Sequence, residues 1–127
     1  MRILDKNMMK KLSFPDFDVE KMEFLPQKKM LKIFIDGAWL DIEEGMQLGK
    51  GVLFFSDWEN LSIRRFDSTI EKWFTVEELR IECLEDLCEV KFSDSTVSLC
   101  GFGKKNGQWM EWKIVNTKMH AEFDLNI

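Results

Sequence analysis

The sequence predicts a mainly β protein, an antiparallel β-sandwich or partly open barrel of about eight to ten short strands joined as hairpins. Three observations predict it. From Val19 onward, apolar residues recur with a period of two rather than a helical period. Turn residues interrupt this alternation roughly every eight to twelve residues, and no helical stretch between strands is long enough for a βαβ crossover. Two of the interruptions, Asp36-Gly37 and Asn106-Gly107, are dipeptides that favour two-residue hairpin turns. One to three short helical turns complete the expectation. The 127 residues fit a single domain, 1–127, whose β-rich body covers 19–125.

In chain order, Ile3, Leu4, Met8 and Leu12 have rough helical spacing, and Phe14-Pro15-Asp16 ends any helix. Residues 1–14 therefore read as an N-terminal helix or a frayed tail. Val19, Met22 and Phe24 mark a first strand closed by Pro26. Leu31, Ile33 and Ile35 then alternate with Lys32 and Phe34. A two-residue turn at Asp36-Gly37 sets Ile35 opposite Ala38, Phe34 opposite Trp39 and Lys32 opposite Asp41. One side of that hairpin is wholly aliphatic, from Leu31 to Ile42, and the other carries the Phe34/Trp39 and Lys32/Asp41 pairs.

Residues 43–51 read as a glycine-punctuated connection and 52–55 as a buried strand. Ser56-Asp57-Trp58-Glu59 fits a capping box, hence one helical turn or a tight corner. Residues 61–66 alternate, Asp67-Ser68-Thr69 turns, and Lys72-Trp73-Phe74 re-enters as a strand. Residues 75–79 fit a second capping box, but the alternation of Leu79, Ile81 and Cys83 favours a strand over 79–82. Cys88, Val90 and Phe92 mark the next strand, followed by a turn at Ser93-Asp94-Ser95.

A two-residue turn at Asn106-Gly107 sets Lys104 opposite Trp109, Phe102 opposite Glu111 and Gly101 opposite Trp112. Val97, Leu99, Gly101, Gly103, Met110, Trp112 and Ile114 then share the core side, with Trp112 covering the bare backbone of Gly101. Phe102 and Trp109 fall on the other side, with Lys104 placed for a cation–π contact on Trp109. Residues 119–123 form the last strand.

Composition narrows the function. Lys and Arg number 18 and Asp and Glu 23, a net charge of −5. Basic residues cluster only as pairs such as Lys10-Lys11 and Arg64-Arg65, a poor match for the phosphate contacts nucleic acids require. No apolar run approaches the roughly 20 residues that span a bilayer, and the N-terminus lacks a secretory apolar stretch. Cys83, Cys88 and Cys100 are odd in number and show no Cys-x-x-Cys spacing. They read as reduced thiols of a cytoplasmic protein. One histidine and three scattered cysteines supply no metal-ligand pattern, and no cofactor is expected.

No catalytic residue emerges. Gly101-x-Gly103 with Gly107 is followed by a strand, where a phosphate cradle needs a helix N-terminus. His120, the single candidate base, sits on an alternating segment as an edge or surface residue. Glu111, flanked by Trp109, Met110 and Trp112, reads as a half-exposed sheet carboxylate.

The aromatic set is the remaining signal: 11 Phe and 5 Trp, with no Tyr. In both hairpins the side opposite the aliphatic one keeps an aromatic couple. Phe34, Trp39, Phe102 and Trp109 are therefore candidate partner-binding residues, on faces that the chain covers itself or presents to a partner. The expected function is that of a small, acidic, non-enzymatic intracellular module that binds a protein partner or a second copy of itself. A basic partner suits its charge. In size and charge the chain resembles small bacterial accessory proteins, including the immunity proteins of toxin systems; the likeness rests on no motif. Two alternatives are a lipocalin-like barrel carrying a small apolar ligand, and a carbohydrate-binding sandwich that stacks sugars on Trp39, Trp58, Trp73 or Trp109.

Overall fold

The computed structural model describes residues 1–77 and 80–125. Over these residues the chain is mainly β. It begins with β1 (Arg2–Leu4), a one-turn helix α1 (Lys6–Met9), β2 (Leu12–Ser13) and β3 (Val19–Leu25). A 3-10 turn (Pro26–Lys28) leads to β4 (Met30–Ile35), β5 (Ala38–Leu40) and β6 (Met46–Ser56). Then follow β7 (Asn60–Asp67), β8 (Lys72–Thr75), β9 (Glu89–Phe92), β10 (Thr96–Phe102), β11 (Trp109–Val115) and β12 (Lys118–Leu125). A seven-stranded antiparallel sheet has the order β1-β12-β6-β4-β3, with β5 and β2 continuing from one end of β6. A five-stranded antiparallel sheet has the order β8-β7-β11-β10-β9.

The two sheets pack as a sandwich because each alternates apolar and polar residues, so each has one face to bury. Leu31, Ile33, Leu53 and Phe123 of the first sheet and Leu99, Met110, Trp112 and Ile114 of the second belong to one core cluster, none more than 2% exposed. On one side the sheets are tied together through residues 84–86. Glu85 donates its N–H to Phe102 O at 2.8 Å, and Val19 donates to Glu85 O at 2.9 Å. Isolated bridges pair Leu84 with Gly103 and Asp18 with Asp86. The described strands do not close into a barrel. No helix among the described residues is long and apolar enough to cross a membrane.

The N-terminal segment is neither a simple helix nor a tail. Arg2 to Leu4 pair with β12, Asp5 caps α1 by accepting the Met8 N–H at 2.9 Å, and Leu12 and Ser13 pair with β5. Leu4, Met9 and Phe14 are buried in the core. These short additions take the number of strands among the described residues to twelve, where about eight to ten are expected.

The expected hairpin at Asp36-Gly37 is not formed. β4 and β5 both run antiparallel to β6, β4 against its second half and β5 against its first, so the chain jogs at Asp36-Gly37 and continues. Neither residue has a positive φ, as a type I′ turn requires. Phe34 lies opposite Val52 and Lys21, Lys32 opposite Phe54 and Glu23, and Trp39 opposite Gln47 and Ser13. The aliphatic face survives: β4 and β5 keep one register against β6, and the alternation switches sides within Asp36-Gly37, so that Ile35 and Ala38 are both buried. Gly37 serves a different purpose: a Cβ there would run into the ring of Phe17.

The stretch 43–51 is a connection only to Gly45 (φ +85°); β6 runs on through Gly49 and Gly51. Ser56 to Glu59 make a tight corner with Asp57 at positive φ, and Trp58 is buried there. In the expected strand 79–82, Leu79 lies outside the described residues, and 81–83 pair with no strand.

The Asn106-Gly107 hairpin forms, with the register two residues from the expected one. Phe102 faces Trp109, Gly101 faces Met110 and Leu99 faces Trp112, joined by a six-residue loop. Glu82 accounts for the longer loop: its Oε2 accepts the N–H groups of Lys105 and Asn106 at 2.8 and 3.1 Å. An even shift preserves both faces, but Trp112 does not cover Gly101. The backbone of Asp86 does, so close that a Cβ at Gly101 has no room. Lys104 reaches the Glu20 carbonyl at 3.3 Å instead of Trp109.

Candidate functional site

The outer face of the five-stranded sheet carries a row of four aromatic residues. Register alone builds it: Phe102 on β10 faces Trp109 on β11, Trp109 faces Phe66 on β7, and Phe66 faces Trp73 on β8. All four lie on the outward side of their strands, which is how a period of two sorts a strand. Phe102 and Trp109 meet edge to face at 5.2 Å and 78°, and Phe66 and Trp73 at 5.3 Å and 63°. Trp73 and Phe102, at the two ends, are 40% and 42% exposed; Phe66 and Trp109 are half-buried between them.

A second row runs beside the first: Thr75, Arg64, Glu111, Cys100 and Glu89 face one another in turn. Arg64 links the rows. Its Nε donates to Glu111 Oε1 at 2.7 Å, and its guanidinium lies 3.9 Å from the centre of the Trp73 ring. The guanidinium is planar and weakly hydrated, so it stacks on an indole while keeping its carboxylate. An aromatic row flanked by a fixed ion pair is a preorganised apolar surface with a polar rim.

At the Phe102 end the row meets an acidic cleft of about 670 Å³. Asp86 marks the junction, since its Oδ1 accepts the Phe102 N–H at 3.1 Å. Asp16, Asp18, Asp86 and Glu89 line the cleft with Lys91, the one cation on it among the described residues, over an apolar floor that includes the buried Phe14 and Leu87. Asp18 and Asp86 stand directly opposite each other across an isolated bridge. Like charges so placed repel.

The thiols on this side are held protonated. Burial, then the hydrogen bond and charge of Asp86, push the Cys88 thiol up to about 11. Burial and the charges of Glu111 and Glu89 push Cys100 up to about 11 as well. Neither is an activated nucleophile at neutral pH. His120 lies on the outer face of the other sheet, stacked on Phe54 at 4.4 Å, with Glu122 3.7 Å away. Among the described residues no group of three or more His, Cys, Asp or Glu is placed to hold a metal ion.

The four candidate residues thus fall in separate places. Phe102 and Trp109 come together in the row. Phe34 sits half-buried on the outer face of the seven-stranded sheet under the Lys21 ammonium, 4.4 Å from its ring centre. Trp39, 40% exposed, leans on Phe17 at 5.9 Å. Phe66 is not among the residues the sequence singles out, and Trp73 enters there only as a sugar platform. The alternation over 61–66 does put Phe66 outward with Arg64, but only the β7–β11 pairing, between strands far apart in sequence, sets it beside Trp109.

No protein-family model matches the chain, and comparisons with curated proteins and with solved structures find no significant match.

Proposed function

We propose that the chain is a non-enzymatic protein-binding module whose contact surface is the outer face of the five-stranded sheet, together with the acidic cleft at its Phe102 end. The observation that carries this reading is the row Phe102–Trp109–Phe66–Trp73 braced by Arg64 and Glu111. Rigid aromatic anchors beside an Arg, rimmed by polar groups, are the makings of an interface hot spot. The carboxylates of the cleft, with the net charge of −5, favour a basic partner and would speed its approach.

The geometry weighs less in favour of the two alternatives. Sugar stacking needs ring faces open and roughly coplanar, whereas these rings meet edge to face and one face of Trp73 is taken by Arg64. A lipocalin-like carrier needs a barrel interior, and here two sheets close on a filled core.

A photo-crosslinking side chain at Phe102 or Trp73, compared with one at His120 on the opposite outer face, tests the reading in cells. The expected result is one partner of basic charge captured from the first two positions and not from His120. Capture of a second copy of this chain would make the face a self-association surface. Equal capture from all three positions would overturn the proposal.

A further inference from the structure

Beside the corner where residues 84–86 tie the two sheets, the surface is indented. At that corner the Leu84 N–H is donated to Met22 Sδ at 3.3 Å. Past it a wedge of about 300 Å³ opens, with Met22, Phe24 and Pro26 on one wall, Ile81 and Cys83 on the other, and Trp112 behind. Phe24 parts it from a neighbouring hollow of about 290 Å³ under Trp58 and Ile63. The Phe24 ring meets Trp112 edge to face at 5.2 Å and lies near-parallel to Trp58 at 6.2 Å.

Trp112 is 1% exposed, and its Nε1 is the one buried side-chain nitrogen or oxygen among the described residues without a hydrogen-bond partner. Buried indole N–H groups ordinarily find an acceptor. Here the indole lies against a concave, mostly apolar space, the combination that marks small-molecule sites.

We infer that this wedge binds a small, uncharged, largely apolar molecule bearing one hydrogen-bond acceptor, such as a carbonyl, which takes the Trp112 Nε1–H once the Phe24 ring packed on the indole turns aside to uncover it. The volume admits about ten heavy atoms, at roughly the 30 Å³ that a water molecule occupies. Charge sets the rest of the class. Among the described residues no Lys or Arg lines the wedge, and the Glu82 carboxylate stands on its wall, which disfavours an anion. A protonated amine would bring donors only and leave Nε1 unmet. The site is separate from the aromatic row: Trp112 points inward from β11, whereas Trp109 and Glu111 point outward. Its fate is therefore independent of the proposed interface.

Acetophenone and ethylbenzene are matched probes, similar in size and shape, of which only the first carries an acceptor. In nitrogen-15 spectra of the intact protein, five indole signals report on the five tryptophans. The expected result is a saturable downfield shift of the Trp112 indole proton with acetophenone and no such shift with ethylbenzene. Ile81→Phe and Cys83→Leu each narrow the wedge, and whichever retains the wild-type spectrum should weaken acetophenone binding by about tenfold or more. Absence of a saturable shift, or an equal shift with ethylbenzene, would overturn the inference and leave the N–H to the Phe24 ring. Undiminished binding in the narrowed variants would overturn it by placing the probe elsewhere.

Discussion

The guanidinium of Arg64 lies 3.9 Å from the centre of the Trp73 ring while its Nε holds Glu111 at 2.7 Å. One side chain thus fixes an end residue of the aromatic row against the ion pair beside it. Exposed contacts of this kind contribute on the order of 0.5–1 kcal/mol each. Arg64→Ala should cost about 1 kcal/mol. A double-mutant cycle with Trp73→Ala should show a coupling of about 0.5–1 kcal/mol by denaturant titration. Additive effects would mean that the stacking contributes nothing.

Trp112 and Trp109 stand on opposite sides of β11, 1% exposed and half-buried respectively. Truncating the first removes a large side chain from the core and should cost about 3–5 kcal/mol. Trp109→Ala, at a surface able to relax into solvent, should cost less than about 2 kcal/mol. Urea midpoints measure both, and similar losses would mean that the outer row is structural.

Gly37 has an ordinary φ, so its value is steric: the Phe17 ring fills the space a Cβ would need. Gly37→Ala should therefore destabilise by about 1–3 kcal/mol through overpacking. Adding Phe17→Ala should make the glycine substitution nearly neutral. A full cost in the Phe17→Ala background would point to the backbone at Gly37.

The Cys88 thiol, raised to about 11, is exposed yet protonated at pH 8. Its alkylation by iodoacetamide at that pH should be about a hundredfold slower than in the urea-unfolded chain. The rate should climb until pH approaches 11. Because the raised values of Cys88 and Cys100 mean that the folded chain binds these protons more tightly, their contribution to stability is present below pH 9. It is lost as pH rises through 11. Rapid alkylation of the folded protein at pH 8 would contradict this.

Parity was legible in the sequence and chain direction was not. Ile35 and Ala38 share the core face, as the expected hairpin implies, yet a strand whose alternation switches sides at Asp36-Gly37 buries the same two residues. What decides between them is β6, whose eleven residues accept β4 and β5 end to end. At Asn106-Gly107 the reversal is correct, and the shift of two comes from Glu82, a side chain some 20 residues away in sequence that holds the loop open. For the same reason Phe102 and Trp109 could be found within one hairpin, whereas Phe66 and Trp73 join them only through long-range pairing.

The most direct test of the proposed interface is Trp73→Ala/Trp109→Ala in a chain carrying the crosslinking side chain at Phe102. The expected result is a cooperative unfolding transition like that of the parent, with capture of the basic partner lost. Undiminished capture by the folded double variant would show that the aromatic row is not the contact surface.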